Sequence, residues 1–122
     1  MLLIDANAIL RYLLCDNAGM AEKIEDLLEN AVVTVRYEVL AEVIYVLNKV
    51  YKLQRVEIHE VIVKFLDLDS VNIEDNAVAV LALETFSQTR LDFVDTLLYA
   101  FHVINGAEVF TFDKKLLNKI SQ

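Results

Sequence analysis

The opening stretch Met1-Leu2-Leu3-Ile4-Asp5-Ala6-Asn7 decides the fold class. Met1 to Ile4 is a brief apolar run suited to a buried strand. It ends on Asp5, after which Ile9, Leu10, Leu13 and Leu14 recur at helical spacing. A strand that passes directly into a helix begins an alternation that the rest of the chain continues. Ala21, Ile24, Leu27 and Leu28 mark a helix over Met20 to Leu28, and the β-branched run Val32 to Val35 reads as a second strand. Leu40, Val43, Ile44, Leu47 and Tyr51 place a helix over Glu38 to Tyr51, and a turn near Lys52 to Arg55 separates it from another over Val56 to Leu66. Ser70 to Ile73 reads as a third short strand and Glu74 to Ser87 as a largely buried helix. Leu91-Asp92-Phe93-Val94-Asp95 opens a helix that reaches about Asn105, with Gly106 just past its end. Val109 to Phe112 is expected to form a fourth strand ending at Asp113, before a short closing helix. Strands alternating with helices in this way give an α/β sandwich on a parallel sheet.

At 122 residues the chain is expected to form a single domain, residues 1–122, with one core that needs no disulfide. Apolar residues make up 57%, yet no uninterrupted run approaches the roughly 18 to 20 residues of a membrane span. The first residues offer neither a basic lead-in nor an adequate export segment, so a cytoplasmic location is expected. Cys15 is the only cysteine, which excludes an internal disulfide and a cysteine-based zinc site. Proline is absent and glycine occurs only at positions 19 and 106, which argues against an all-β domain or a flexible linker. Eleven basic residues against 19 acidic ones give −8, the wrong sign for nucleic-acid binding driven by the backbone. A nucleic-acid enzyme with that balance must gather its carboxylates and neutralise them with cations.

Asp5 and Asp113 each follow an apolar strand, so both are expected at the carboxyl edge of the sheet, where α/β folds bind ligands. Asp95 falls in the first turn of its helix and Glu42 in the first turn or two of another. If both helices rise from that edge, four carboxylates converge there, a donor set suited to hard cations such as Mg²⁺ or Mn²⁺. Each acid also has a structural reading. Asp92 is placed as a helix N-cap with Asp95 as a capping-box analogue, Asp5 and Asp113 can cap the helices they precede, and Glu42 can be an exposed helix residue.

The chain resembles the PIN domains, the nuclease fold of VapC-type toxins in prokaryotic toxin–antitoxin pairs. The resemblance spans essentially the whole length. It rests on Leu2-Leu3-Ile4-Asp5-Ala6-Asn7, Glu38-Val39-Leu40-Ala41-Glu42-Val43, Asp92-Phe93-Val94-Asp95-Thr96-Leu97-Leu98 and Thr111-Phe112-Asp113, in that order and spacing. It implies a three-layer α/β/α sandwich with a short central parallel sheet of four or five strands. It also implies metal-binding and catalytic roles for Asp5, Glu42, Asp95 and Asp113, with Asp92, Asn7 and Thr111 as accessories. Asn7 and Thr111 have an alternative as local partners of the backbone. Ala6 departs from the pattern, since related sequences commonly carry a hydroxyl residue beside the first aspartate.

The implied reaction is hydrolysis of RNA phosphodiesters with Mg²⁺ or Mn²⁺ and no covalent nucleophile. Arg11, Arg36, Arg90, Lys114 and Lys115 lie near the motifs as candidate RNA contacts, and His59 and His102 are read as solvated rather than catalytic. The resemblance also implies a small antitoxin partner and a homodimer, for which Tyr45, Val46 and Tyr51 are the candidate interface. Two other classes stay open: an inactive PIN-fold binding module, and an aspartate-based phosphotransfer enzyme using Asp5. The latter class normally carries a second aspartate where this chain has Asn7.

Overall fold

The computed structural model describes residues 1–122 and forms a mixed α/β fold dominated by helices. In chain order the elements are α1 (Ala6–Leu14), α2 (Ala18–Asn30), β1 (Val33–Val35), α3 (Tyr37–Lys49), α4 (Arg55–Leu66), β2 (Val71–Ile73), α5 (Asn76–Gln88), α6 (Phe93–Asn105) and α7 (Lys114–Ile120). Local chemistry sets many of these boundaries. Asp5, Asn17, Asp75 and Asp113 each accept a backbone N–H in the first turn of the helix that follows, satisfying donors that the helix itself leaves unpaired. The Glu57 carboxylate reaches back to the Gln54 N–H and closes the start of α4. Gly106 ends α6 at φ 69°, where its N–H donates to the carbonyl of His102 at 3.1 Å. A Cβ there would meet no atom within 4 Å. Gly106→Ala is therefore expected to cost only the left-handed backbone penalty, about 1 kcal/mol by thermal denaturation, and Gly106→Asn less.

The sheet is smaller than expected. β1 and β2 pair in parallel, with Val33 opposite Val71, Thr34 opposite Asn72 and Val35 opposite Ile73. On the other side of β1, Leu3 forms one parallel bridge with Thr34. Thr34 donates to the Leu2 carbonyl at 2.7 Å and accepts from the Ile4 N–H at 3.3 Å. Met1 to Ile4 thus contributes a single bridge rather than a full strand, and Val109 to Phe112 forms no ladder, so the sheet has two strands in place of four or five. The last segment keeps a period of two in its burial, but with the large rings outward. Val109 and Thr111 are half-buried, while Phe110 and Phe112 are 89% and 88% exposed and pack edge-on against each other. Apolar character alone cannot say which face of such a run meets the core. One face of the sheet, formed by Val33, Val35, Val71 and Ile73, is buried. On the other, Asn72 is exposed and Thr34 half-buried, so the implied three-layer covering is incomplete.

A connected core of 25 buried residues joins sheet and helices. Leu40, Val43, Ile44 and Leu47 of α3 meet Ile58 and Ile62 of α4, Val78, Ala82 and Leu83 of α5, and Leu97 and Ala100 of α6. No helix is long and apolar enough to cross a membrane. The path of α5 and α6 has a functional consequence. α5 leaves the carboxyl edge of the sheet, where Tyr37 Oη exchanges hydrogen bonds with the backbone of Asp75. A short loop then turns the chain back, and Phe86 near the end of α5 packs edge-on against Phe93 at the start of α6. Phe101, late in α6, packs against Tyr37 at the start of α3. α6 therefore runs opposite to α5 and α3, with Phe101 in its second half beside the start of α3.

Candidate active site

Asp95 sits half-buried in the first turn of α6. Burial raises its carboxyl above the ordinary carboxylate range, and the negative charges of Asp113 and then Asp92 raise it further. These three acids form one electrostatic unit. Asp5 and Glu42 are not among the charges acting on Asp95. Asp5 lies at the carboxyl edge, exposed, with Oδ1 accepting the Ala8 N–H at 2.8 Å. Glu42 is exposed on α3, next to Ala41. Ala41 lines a cavity of about 420 Å³ between α3 and α6, together with Tyr45, Lys49, Arg55, Asp92 and Asp95.

The structural alternatives resolve differently for each acid. Asp113 caps α7, its Oδ1 accepting the Leu116 N–H at 2.9 Å, and Asp5 caps α1 in the same way. Asp92 stands at the N-cap position of α6, but its carboxylate accepts no helix N–H. Capping therefore accounts for part of what Asp5 and Asp113 do and for none of what Asp92 does. In chelator, Asp113→Ala is expected to lower stability by about 1 kcal/mol through the lost cap. Asp92→Ala should leave it unchanged or raise it, as chemical denaturation would read. Thr111 Oγ1 accepts the Asp113 N–H at 3.0 Å and fixes the backbone entering α7. Asn7 is exposed near the start of α1.

Two residues outside the expected set shape this region. Arg55, the first residue of α4, directs Nη1 to the carbonyls of Phe86, Thr89 and Leu91 at 3.1, 3.0 and 2.6 Å, with its guanidinium 4.1 Å from the Phe86 ring centroid. It ties down the loop that delivers Asp92 and Asp95. Burial pulls its proton affinity below the ordinary arginine value, and the Asp92 charge acts the other way. His102 is half-buried rather than solvated, with Nδ1 2.8 Å from the Ala107 carbonyl, where it steadies the end of α6.

Carboxylate oxygens crowded beside one another suit a hard divalent cation, because the cation would relieve the repulsion that keeps Asp95 protonated to higher pH. Asp95 and Asp113, with Asp92 beside them, are the residues that fit this role by donor chemistry. The arrangement is not a closed coordination shell, since no three acidic, histidine or cysteine side chains are gathered around one point.

The PIN domain family model matches residues 2–121. No curated protein and no solved structure matches the chain. PIN domains are generally nucleases and typically use divalent metals. Matched over nearly its whole length, the chain belongs to the PIN-domain family.

Proposed function

We propose that the protein is a metal-dependent endoribonuclease, the toxin of a toxin–antitoxin pair, with Asp5, Glu42, Asp95 and Asp113 as its metal-binding and catalytic carboxylates. The observation that carries this reading is the half-buried Asp95, coupled to Asp92 and Asp113 and bordering a cavity that also holds the cations Lys49 and Arg55. When bound, Mg²⁺ or Mn²⁺ supplies positive charge for the phosphate oxygens and acidifies water. Asp95 and Asp113 would hold the cation, with Asp5 as a further carboxylate donor. Glu42 takes the proton from the attacking water. Asp92 and Asn7 orient water, and Thr111 holds the backbone of Asp113. Water adds at phosphorus, the P–O bond to the neighbouring nucleotide breaks, and no adduct forms on the protein.

Two partners accompany this reading. Tyr45 on α3 and Tyr51 just past its end are exposed, and Val46 is half-buried. They form the proposed homodimer surface. A small antitoxin would place an apolar segment beside the acids. Incubation of the purified protein with an RNA panel is expected to give cleavage with Mn²⁺ and none in chelator. No cleavage with Mn²⁺, together with no effect of Asp5→Asn, would leave an inactive binding module instead. A beryllofluoride adduct on Asp5 would point to phosphotransfer. Growth arrest on expression, relieved by a co-expressed neighbouring gene product, tests the toxin role.

A further inference from the structure

The chain has 11 lysine and arginine residues, and three of them line one shallow depression of about 230 Å³. Arg90 comes from the loop before α6, and Lys115 and Lys119 from α7. Thr89, Asn118 and Gln122 complete a rim whose only apolar member is Leu91. The side-chain ion pairs of the protein are Arg11–Asp16 and Arg36–Glu38, so none of these three cations is matched by a carboxylate. In a chain of net charge −8, an unmatched cluster of this kind is a local reversal of sign.

The cluster is also held in place. The carbonyls on both sides of Arg90, those of Thr89 and Leu91, accept from Arg55, and Thr89 Oγ1 donates to the Thr85 carbonyl at 2.8 Å. The Leu91 side chain is buried. Lys119 Nζ lies 5.1 Å from the centroid of the Tyr99 ring on α6, a cation–π contact that keeps it over this face. The site borders the acids in sequence on both walls: Arg90 is two residues before Asp92, and Lys115 two residues after Asp113.

We propose that Arg90, Lys115 and Lys119 form a phosphate-binding subsite that grips the backbone of single-stranded RNA beside the acidic site. It rests on the ribonuclease reading for its ligand. An anionic polymer cannot approach Asp92, Asp95 and Asp113 without repulsion, and this cluster offers compensating charge close to them in sequence. Arginine supplies a planar donor fork for phosphate, and the lysines supply point charges. An acidic peptide is the competing polyanion.

The test is fluorescence anisotropy with a labelled 12-nucleotide single-stranded RNA, in chelator so that no cleavage intervenes, with a thermal melt of each variant as the folding control. The triple variant Arg90→Ala, Lys115→Ala, Lys119→Ala is expected to bind at least about 10-fold more weakly at low salt. Its slope of log K against log salt should be shallower by about 2, the value for three lost phosphate contacts on a single strand. The charge-retaining set Arg90→Lys, Lys115→Arg, Lys119→Arg should recover most of the slope. An unchanged slope in the alanine triple, or no RNA binding by the wild type, would overturn the subsite. So would poly-glutamate competing as well as RNA at equal charge. Metal-dependent cleavage, measured separately on the wild type, reports on the ribonuclease reading. Cleavage without a charge effect at this cluster sinks the subsite alone, and a charge effect without cleavage sinks only the enzyme.

Discussion

Asp95→Asn is expected to abolish cleavage and, in the same protein without metal, to raise stability. The two effects share one cause. Asp95 is half-buried, and its carboxyl is raised first by burial and then by the charges of Asp113 and Asp92. Between its ordinary value of 3.8 and the raised value in the fold, the native state binds more protons than the unfolded chain. Stability therefore falls as pH rises through the folded value, and at neutral pH the whole penalty is present. Asparagine removes the charge and keeps the shape. The gain should appear as a higher Tm for the variant at pH 7 in chelator. The gain should fade as pH falls through the ordinary value of 3.8 and be absent well below it, where the carboxyl is protonated in both states. Added Mn²⁺ should reverse the order, stabilising the wild type and leaving the variant unchanged. Cleavage should fall by at least about 100-fold, as for loss of a group that holds or orients a catalytic cation. Destabilisation of the variant in chelator would mean that Asp95 serves the fold rather than the chemistry.

Arg55→Met carries the largest expected cost in stability. α5 ends without a left-handed residue: Thr89 follows it in extended geometry, and its Oγ1 donates to the Thr85 carbonyl at 2.8 Å. The Arg55 guanidinium adds donors from another helix, reaching the carbonyls of Phe86, Thr89 and Leu91. Nη1 has two hydrogens for three acceptors, so at least one is shared and the set is worth about two charged hydrogen bonds. Their loss, with the contact over Phe86, is expected to cost about 3–4 kcal/mol in urea denaturation with an unchanged m value. Arg55→Lys should recover only part of it, because an ammonium lacks the flat face that lies over the ring. Activity should fall as well, since the same loop delivers Asp92 and Asp95. That places Arg55 as a positioning residue. A loss below about 1 kcal/mol would show that solvent satisfies these carbonyls without it.

The elements that sequence periodicity located are those with a wide apolar face. The α3 stripe of Leu40, Val43, Ile44 and Leu47 and the α4 residues Ile58 and Ile62 are all buried, and Gly106 takes the left-handed position expected of it. The strands were harder. Met1 to Ile4 and Val109 to Phe112 carry strand-like composition, but composition says nothing of which neighbour a strand pairs with. In the fold the first makes one bridge, and the second leaves Phe110 and Phe112 in solvent. The order of support among the acids also changed. Strand-end position favoured Asp5 and Asp113, yet both spend an oxygen on a helix cap. Asp92 and Asp95, whose structural alternative is a capping pair, leave α6 without a side-chain cap at its N-cap position and interact through charge instead. The hairpin of α5 and α6 decides where those two acids lie, and a hairpin's direction is not written in the periodicity of either helix. Arg55 escaped notice for a similar reason. Its partners are 31 to 36 residues away in sequence, and no local pattern links an arginine to distant carbonyls.

Where a divalent cation binds decides whether these carboxylates form a metal site. Crystals of the protein soaked in Mn²⁺ and measured for anomalous scattering should show a peak coordinated by Asp95 and Asp113, with Asp5 or Glu42 completing the oxygen ligands and no peak in Asp95→Asn. A fully occupied Mn²⁺ elsewhere on the protein, or none at all at millimolar metal, would contradict that site.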